Sequence, residues 1–174
     1  MKKEIKDSGE ILYSGKVITL HKDNVVCSNG AVAVREYVSH NGGVCVLMEI
    51  NEKIALVRQF RYAFNDEILE LPAGKLESGE NPYDAGLREL EEETGYKAET
   101  LENYGCMYPS VGYTNEIIYL YVAKNCRKTQ THFDFDEDLD IVFVSKEKLR
   151  KMIKNNDIRD AKTIILLSKY LYNI

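Results

Sequence analysis

The chain has 174 residues, of which 44% are hydrophobic and 29% charged, and its formal net charge is −5. This composition predicts a soluble globular protein with one domain, or one domain plus a small appendage. The acidic balance argues against non-specific nucleic-acid binding, which needs a basic surface. The chain start lacks the apolar core of a signal peptide, and no segment approaches the ~18 apolar residues of a membrane span. With four scattered cysteines and no CxxC pair, we expect a cytoplasmic protein with reduced thiols.

The first third of the chain predicts β structure. Residues 11–40 alternate apolar and polar side chains in short runs, and Asn29-Gly30 is a strong hairpin signal. Two apolar strands follow, GGVCVLMEI and KIALVRQFR, separated by the turn NEK. A shorter strand then enters a loop that contains glycine.

One helix is marked at both ends. Asn81 suits the N-cap, Pro82 suits the first helical position, and Gly95 suits the left-handed position that ends a helix. Two strands joined by a loop come next, then the acidic segment DFDEDLD and the strand IVFVS. Ser145 and Asp160 can cap two final helices. This order of elements predicts the α+β class.

The last turns of the marked helix concentrate acid where the helix dipole leaves partial negative charge. Glu89 and Glu93 are one turn apart, so two like charges face each other, and Glu92 flanks both. At helical spacing the trio projects away from the apolar face of the helix. It is either a solvated charged face, with Arg88 pairing with Glu92, or a hard-oxygen site for Mg²⁺ or Mn²⁺.

A longer pattern surrounds these glutamates. From Gly74 the chain reads GKLESGENPYDAGLRELEEETGY, with five residues between Gly74 and Glu80 and seven between Glu80 and Arg88. The pattern resembles the Nudix box, the loop–helix–loop signature of hydrolases that act on nucleoside diphosphates linked to another moiety. Every fixed glycine, acid and arginine of the box is present. The one departure is Tyr96, where the family usually has Ile, Leu or Val.

The resemblance implies a role for each box residue. Glu89, Glu93 and the backbone carbonyl of Ala73 would bind Mg²⁺ (or Mn²⁺), and Glu92 would bind a further ion or its water shell. Glu80 and Arg88 would hold the loop and the helix together, and Gly74 and Gly95 are the fixed glycines of the motif.

Segments outside the box resemble the ADP-ribose pyrophosphatase branch of the family. They are VRQFRYAFNDEILELPAGKLE, GYTNEIIYLYVA and IRDAKTIILL. The resemblance implies a Nudix α/β/α sandwich with a mixed sheet, which would occupy residues 41–174. Residues 1–40 would form a small antiparallel β subdomain that is exchanged or packed across a two-fold axis of a homodimer.

In that branch the reaction is hydrolysis of ADP-ribose to AMP and ribose 5-phosphate. Arg35, Arg61 and Glu70 match positions that contact the substrate, and Arg58 is a further candidate. Glu137 in the acidic segment would be the general base or an extra metal ligand, with Asp136 and Asp138 close to it. Glu92 is the alternative base. A solvated acidic loop remains the plain alternative for that segment.

Three other functions stay open. The substrate could be another nucleoside diphosphate sugar, such as ADP-glucose or GDP-mannose. The chain could be a nucleotide-sugar-binding regulatory module that retains the fold without turnover, because a fold does not fix a function. A structural domain with an acidic surface helix would show no change in melting temperature with Mg²⁺.

Overall fold

The structure, a computed structural model, describes residues 2–130 and 139–174. Its strands are β1 (Ile5–Ser14), β2 (Thr19–Val26), β3 (Val32–Ser39), β4 (Gly43–Leu47), β5 (Glu49–Ile50), β6 (Lys53–Arg61), β7 (Asp66–Glu70), β8 (Ala73–Lys75), β9 (Tyr96–Lys97), β10 (Thr100–Met107), β11 (Ile118–Lys124), β12 (Arg127–Lys128) and β13 (Leu139–Ser145). Its helices are α1 (Pro82–Thr94), α2 (Lys146–Lys154) and α3 (Ala161–Tyr172). No helix among these residues is both long and apolar enough to cross a membrane.

The chain divides into two compact units. The first comprises Met1–Gly42 together with Tyr108–Ile117, and the second comprises Gly43–Met107 together with Ile118–Ile174. The loop before β11 therefore belongs to the same unit as residues 1–42, and the predicted division into domains at residue 40 stays a prediction. Hydrogen bonds join this loop to the end of β3, because Val38 N–H donates to the Tyr113 carbonyl and His40 N–H donates to the side-chain Oδ1 of Asn115.

The first unit is a three-stranded antiparallel sheet in the order β1-β2-β3. Gly30 adopts a positive φ of 84° in the turn between β2 and β3, as the Asn29-Gly30 signal predicts. The first strand begins at Ile5, earlier than the apolar alternation indicates, because pairing with β2 continues through its polar residues. Large apolar side chains of this sheet are exposed, among them Ile5, Ile11 and Val32.

The second unit contains a mixed sheet in the order β10-β11-β4-β8, in which β11 and β4 are parallel and the other pairs antiparallel. An antiparallel sheet in the order β13-β6-β5 lies in the same unit, with β7 also paired to β6. The predicted strand GGVCVLMEI is divided at Met48 into β4 and β5. Asn51 and Glu52 both have positive φ angles (49° and 63°), which suits the tight turn predicted before β6.

Helices cover both faces of the strands in the second unit. Along β4, Val44 and Val46 belong to the apolar cluster that contains Leu90 of α1. The alternate residues Cys45 and Leu47 belong to the cluster that contains the buried leucines of α2 and α3. Because successive side chains of a strand point to opposite faces, these two clusters give the layered α/β/α arrangement. The α+β class is confirmed.

The predicted helix caps are confirmed. Asn81 Oδ1 accepts from the Tyr83 N–H, and Gly95 takes the left-handed conformation at φ 66° with its N–H donating to the Glu91 carbonyl. Ser145 and Asp160 accept from the backbones of α2 and α3 in the same manner. These caps satisfy backbone groups that would otherwise be left without partners at the helix ends.

Candidate active site

The end of α1 packs against the short segment that leads into and forms β8. Glu93 is 2% exposed, and its Oε2 accepts from the Ala73 N–H at 2.9 Å. The expectation that all three glutamates project away from the packed side is therefore wrong for Glu93. The reason is that the packed side of α1 includes a backbone donor that the apolar pattern of the helix does not reveal.

Gly74 makes room for Glu89. A Cβ atom at Gly74 would lie 1.9 to 2.1 Å from the carboxyl atoms of Glu89, so any side chain at this position would displace that carboxyl group. The two first residues of β8 thus lie against two carboxylates one helical turn apart. The glycine allows the backbone to approach the Glu89 carboxyl group this closely.

Arg88 is the centre of an ion-pair network. Its Nε and Nη2 donate to the two oxygens of Glu80 at 3.0 Å each, and its Nη1 donates to Glu89 Oε1 and Glu92 Oε2 at 2.9 Å each. Glu80 Oε2 also accepts from the Glu77 N–H. The hydrogen bond from Arg88 lowers the pKa of Glu80, and the hydrogen bond to Glu80 is the main cause that raises the pKa of Arg88.

The geometry of this network joins loop to helix, as the box resemblance implies for Glu80 and Arg88. It also disperses part of the negative charge at the C-terminal end of α1, because one guanidinium contacts three carboxylates. Arg88 pairs with Glu92 as expected from their spacing, and it reaches Glu89 and Glu80 in addition.

The fit of a metal ion can be judged from the donor set. Carboxylates of Glu89 and Glu93 lie beside Ala73 and Gly74, and carboxylate and carbonyl oxygens are the ligands that Mg²⁺ and Mn²⁺ prefer. Within residues 2–130 and 139–174, however, no three Asp, Glu, His or Cys side chains are gathered closely enough to hold an ion. The residues therefore fit such an ion by chemical type but are not gathered into a complete ligand set among the described residues, and binding of the ion stays a prediction.

Arg61 and Glu70 form a second network in the same unit. Arg61 Nε donates to Glu70 Oε1 at 2.5 Å and its Nη2 donates to Glu70 Oε2 at 2.7 Å. Lys162 Nζ donates to the same Oε2 and pairs with Asp160 Oδ1 at 3.0 Å. Burial raises the pKa of Glu70, but the Arg61 hydrogen bond and the Lys162 charge outweigh it, so the pKa stays below its ordinary value.

This second network opens onto a cavity of about 770 Å³ in the second unit. The lining includes all four network residues and three aromatic rings, those of Phe60, Tyr62 and Phe64. Mixed aromatic and charged walls suit a ligand that carries both a ring and an anionic group.

The two networks are connected through the chain and through charge. Glu70 is followed by Leu71, Pro72 and Ala73, so two residues separate the Arg61 partner from the backbone beside Glu93. The pKa of Arg61 is raised mainly by its hydrogen bond to Glu70, with a further contribution from the charge of Glu93. The structure thus brings the predicted residues Arg61 and Glu70 together. The charge of Glu93 on α1 also acts on Arg61.

The remaining predicted residues lie elsewhere. Arg35 is on β3 of the first unit, where its Nε and Nη2 donate to Glu4. Arg58 is exposed on β6. Glu137, Asp136 and Asp138 lie outside the described residues.

Sequence reasoning missed Lys162 and Asp160 as members of the network. Asp160 was assigned only a capping role, which it does perform. Lys162 carried a signal of its own, since a lysine in the first turn of α3 opposes the helix dipole.

Comparison with known proteins assigns the family. The family model described as NUDIX domain matches residues 39–167, which include both networks. The chain belongs to the NUDIX family. Nudix hydrolases generally use divalent metal ions. This requirement is consistent with the carboxylate and carbonyl oxygens found around β8 and the end of α1.

Individual relatives were found among characterised proteins. The chain is 43% identical to the "Methanol dehydrogenase activator" of Bacillus methanolicus, over 90% of this chain and 86% of the relative. It is 41% identical to the "ADP-ribose pyrophosphatase" of Bacillus subtilis (strain 168), over 88% of this chain and 85% of the relative. A "GDP-mannose pyrophosphatase" of Citrobacter koseri is 30% identical over 80% of this chain and 78% of the relative.

The fold also has a counterpart among solved structures. A crystal structure of an "ADP compounds hydrolase" superposes with a TM-score of 0.86 and covers 98% of this chain and 92% of that chain. Sequence identity to it is 21%, so the similarity shows the fold alone. The Nudix fold predicted from the box is therefore confirmed.

Proposed function

We propose that this Nudix hydrolase splits ADP-ribose into AMP and ribose 5-phosphate with Mg²⁺ as its cation, Mn²⁺ being the alternative. The observation that carries the proposal is the 41% identity to the Bacillus subtilis ADP-ribose pyrophosphatase over 88% of the chain. The two networks supply groups suited to that substrate. One concentrates carboxylates for a cation, and the other offers an arginine in a cavity with aromatic walls.

The proposed cation would be held by Glu89, Glu93 and the Ala73 carbonyl, with Glu92 as a further ligand. When bound, a divalent cation offsets charge on the diphosphate oxygens and lowers the pKa of a coordinated water. Arg88 would keep the carboxylates from repelling one another before the cation arrives. Gly74 keeps the approach to Glu89 open, because a larger residue would occupy the position of its carboxyl group.

Hydrolysis requires a group that removes the proton from the attacking water. The water oxygen bonds to one phosphorus, the bridging P–O bond breaks, and the proton passes to a carboxylate. We assign this base to Glu137, with Glu92 as the alternative. Glu92 Oε2 accepts a hydrogen bond from Arg88, so it would act as a base only after that bond opens or through its other oxygen.

Arg61 and Glu70 are the proposed substrate contacts in the second unit. An arginine with two donors held by a carboxylate keeps a fixed guanidinium plane, which favours binding of a planar or bidentate anionic group. Arg35 is a proposed contact as well, and its bonds to Glu4 would then have to open.

A homodimer of a cytoplasmic protein completes the proposal. The sheet of residues 5–39 exposes large apolar side chains, and exposed apolar patches of this kind are typical of interaction surfaces. We propose that this sheet is the dimerisation element. Sedimentation equilibrium would test the dimer, and a monomer at micromolar concentration would exclude it.

Two alternatives have specific support. The relatives named GDP-mannose pyrophosphatase favour another nucleoside diphosphate sugar with the same chemistry. The relative named methanol dehydrogenase activator favours a regulatory role toward a partner enzyme. Neither alternative excludes hydrolysis by this chain.

The decisive experiment offers the purified protein ADP-ribose, ADP-glucose, GDP-mannose and NADH in parallel with Mg²⁺ and measures the phosphate-containing products. We expect AMP from ADP-ribose, and a loss of at least 100-fold in kcat for Glu93→Gln, since that change removes a charged ligand. Preferred cleavage of another sugar would retain the chemistry and replace the substrate. Tight binding of ADP-ribose without turnover would favour the regulatory role.

A further inference from the structure

The lysine at the start of α3 is unusual in both its position in the helix and its burial. Lys162 is the second residue of α3, where the positive end of the helix dipole disfavours a cation. Its side chain is only 13% exposed, although lysines are almost never buried without a partner. Such departures from local preference are expected where a residue serves a function.

Two carboxylates keep Lys162 charged in this setting. Its Nζ donates to Glu70 Oε2 and lies 3.0 Å from Asp160 Oδ1. Burial lowers the pKa of Lys162, but the charges of Glu70 and Asp160 outweigh it and leave the pKa above its ordinary value. The lysine is therefore a cation paired with two carboxylates in the lining of the cavity.

The hydrogen bonds of the Arg61 guanidinium link its orientation to Lys162 through Glu70. Glu70 takes Nε and Nη2 of Arg61, and no acceptor among the described residues binds Nη1. Glu70 is 3% exposed, and among the described residues Arg61 and Lys162 are the cations that pair with it. Lys162 thus fixes the carboxylate that fixes the guanidinium of Arg61, and this guanidinium belongs to a residue that lines the cavity.

Charge balance adds a second effect. Arg61 and Lys162 together carry two positive charges, and Glu70 and Asp160 together carry two negative charges, so the network is neutral. Removal of Lys162 would leave this network with a net negative charge, and it would take one positive charge from a cavity wall that Arg159 also lines. A wall with less positive charge attracts an anionic ligand less strongly, and the difference is larger where water is partly excluded.

We propose that Lys162 is a positioning residue, which acts through Glu70 to orient Arg61 toward the diphosphate of the substrate. The proposal rests on the proposed function for the nature of that substrate. α3 also holds the same segment through the Thr163 hydroxyl, which accepts from the Leu71 N–H at 2.8 Å. The start of α3 therefore fixes the chain between the Arg61 network and the Ala73 carbonyl.

The test compares Lys162→Met with Lys162→Arg and with a matched control, Lys169→Met. Lys169 lies on the same helix, and its Nζ donates to the Tyr104 carbonyl at 2.7 Å, so its removal also deletes one partly buried lysine contact. KM and kcat for ADP-ribose are measured with Mg²⁺, and each variant is checked for its melting temperature.

We expect Lys162→Met to raise KM at least tenfold with kcat within threefold of the wild type. A change confined to KM indicates lost binding that is equal in the ground and transition states. Lys162→Arg should recover most of the change because it retains the cation. Lys169→Met should leave KM within twofold, even if it lowers the melting temperature.

A purely structural role gives a different pattern. Partial unfolding removes active enzyme, so the apparent kcat would fall at an unchanged KM, in Lys162→Met and Lys169→Met alike. That pattern, or a KM for Lys162→Arg as high as that for Lys162→Met, overturns the inference and leaves the proposed function intact. If the wild type turns over none of the four nucleotide substrates, the proposed function fails and the inference fails with it.

Discussion

Replacement of Arg88 by methionine tests the network that joins the box loop to α1. The change removes two hydrogen bonds to Glu80 and one each to Glu89 and Glu92. A charge-assisted pair contributes about 1.5–3 kcal/mol. Because the Arg88 side chain is 31% exposed, we take the lower half of that range, about 2 kcal/mol. For a chain of this size, that loss lowers the melting temperature by about 4–8 °C.

The assay is chemical denaturation with a chelator present, in a double-mutant cycle with Glu80→Gln. We expect a coupling energy of about 1–2 kcal/mol between the two substitutions, since each of them removes the Arg88–Glu80 ion pair. Lys97→Met is the matched control. Its pair with Glu91 spans 3.2 Å at the surface, so its loss should cost less than about 1 kcal/mol.

The pH dependence of the difference in free energy of unfolding between the wild type and Arg88→Met gives a second check. The pKa of Glu80 in the folded protein is lowered from 4.5 by Arg88, so its contribution to the free energy of unfolding is complete above about pH 5 and is lost as pH falls below 4.5. The free energy of unfolding of the wild type should therefore approach that of Arg88→Met as the solution is acidified through the lowered pKa of Glu80. The stabilising role of the Arg88 network would be refuted if Arg88→Met lost no more stability than Lys97→Met. A coupling energy near zero between Arg88→Met and Glu80→Gln would refute it as well.

Two further predictions concern the site itself. Gly74→Ala should lower kcat/KM for the substrate by about 10–100-fold, because the new Cβ would overlap the Glu89 carboxyl and a displaced catalytic group costs about this much. Gly112→Ala, where a Cβ meets no atom within 4 Å, is the control, and equal effects of both would dismiss the steric argument. Glu137→Gln should lower kcat by about 100–10,000-fold if that residue is the general base, whereas a loss of that size in Glu92→Gln alone would move the assignment to α1.

Local signals in the sequence determined much of this protein. Asn81, Pro82 and Gly95 fix the ends of α1 because a cap acts on backbone groups within a few residues. Asn29-Gly30 fixes the first hairpin for the same reason. The box spacing from Gly74 to Gly95 was enough to indicate the family, since each of its residues occupies a set place on one loop and one helix.

Only the tertiary structure decided which distant residues share a site. Glu93 is buried because the Ala73 N–H meets it from twenty residues earlier in the chain, and helical periodicity contains no information on that donor. Lys162 reaches Glu70 across ninety-two positions, a contact set by the packing of α3 against the sheet. The sequence shows both charges that oppose a helix dipole, the glutamates at the C-terminal end of α1 and Lys162 at the N-terminal end of α3. The partners that stabilise these charges depend on the tertiary structure.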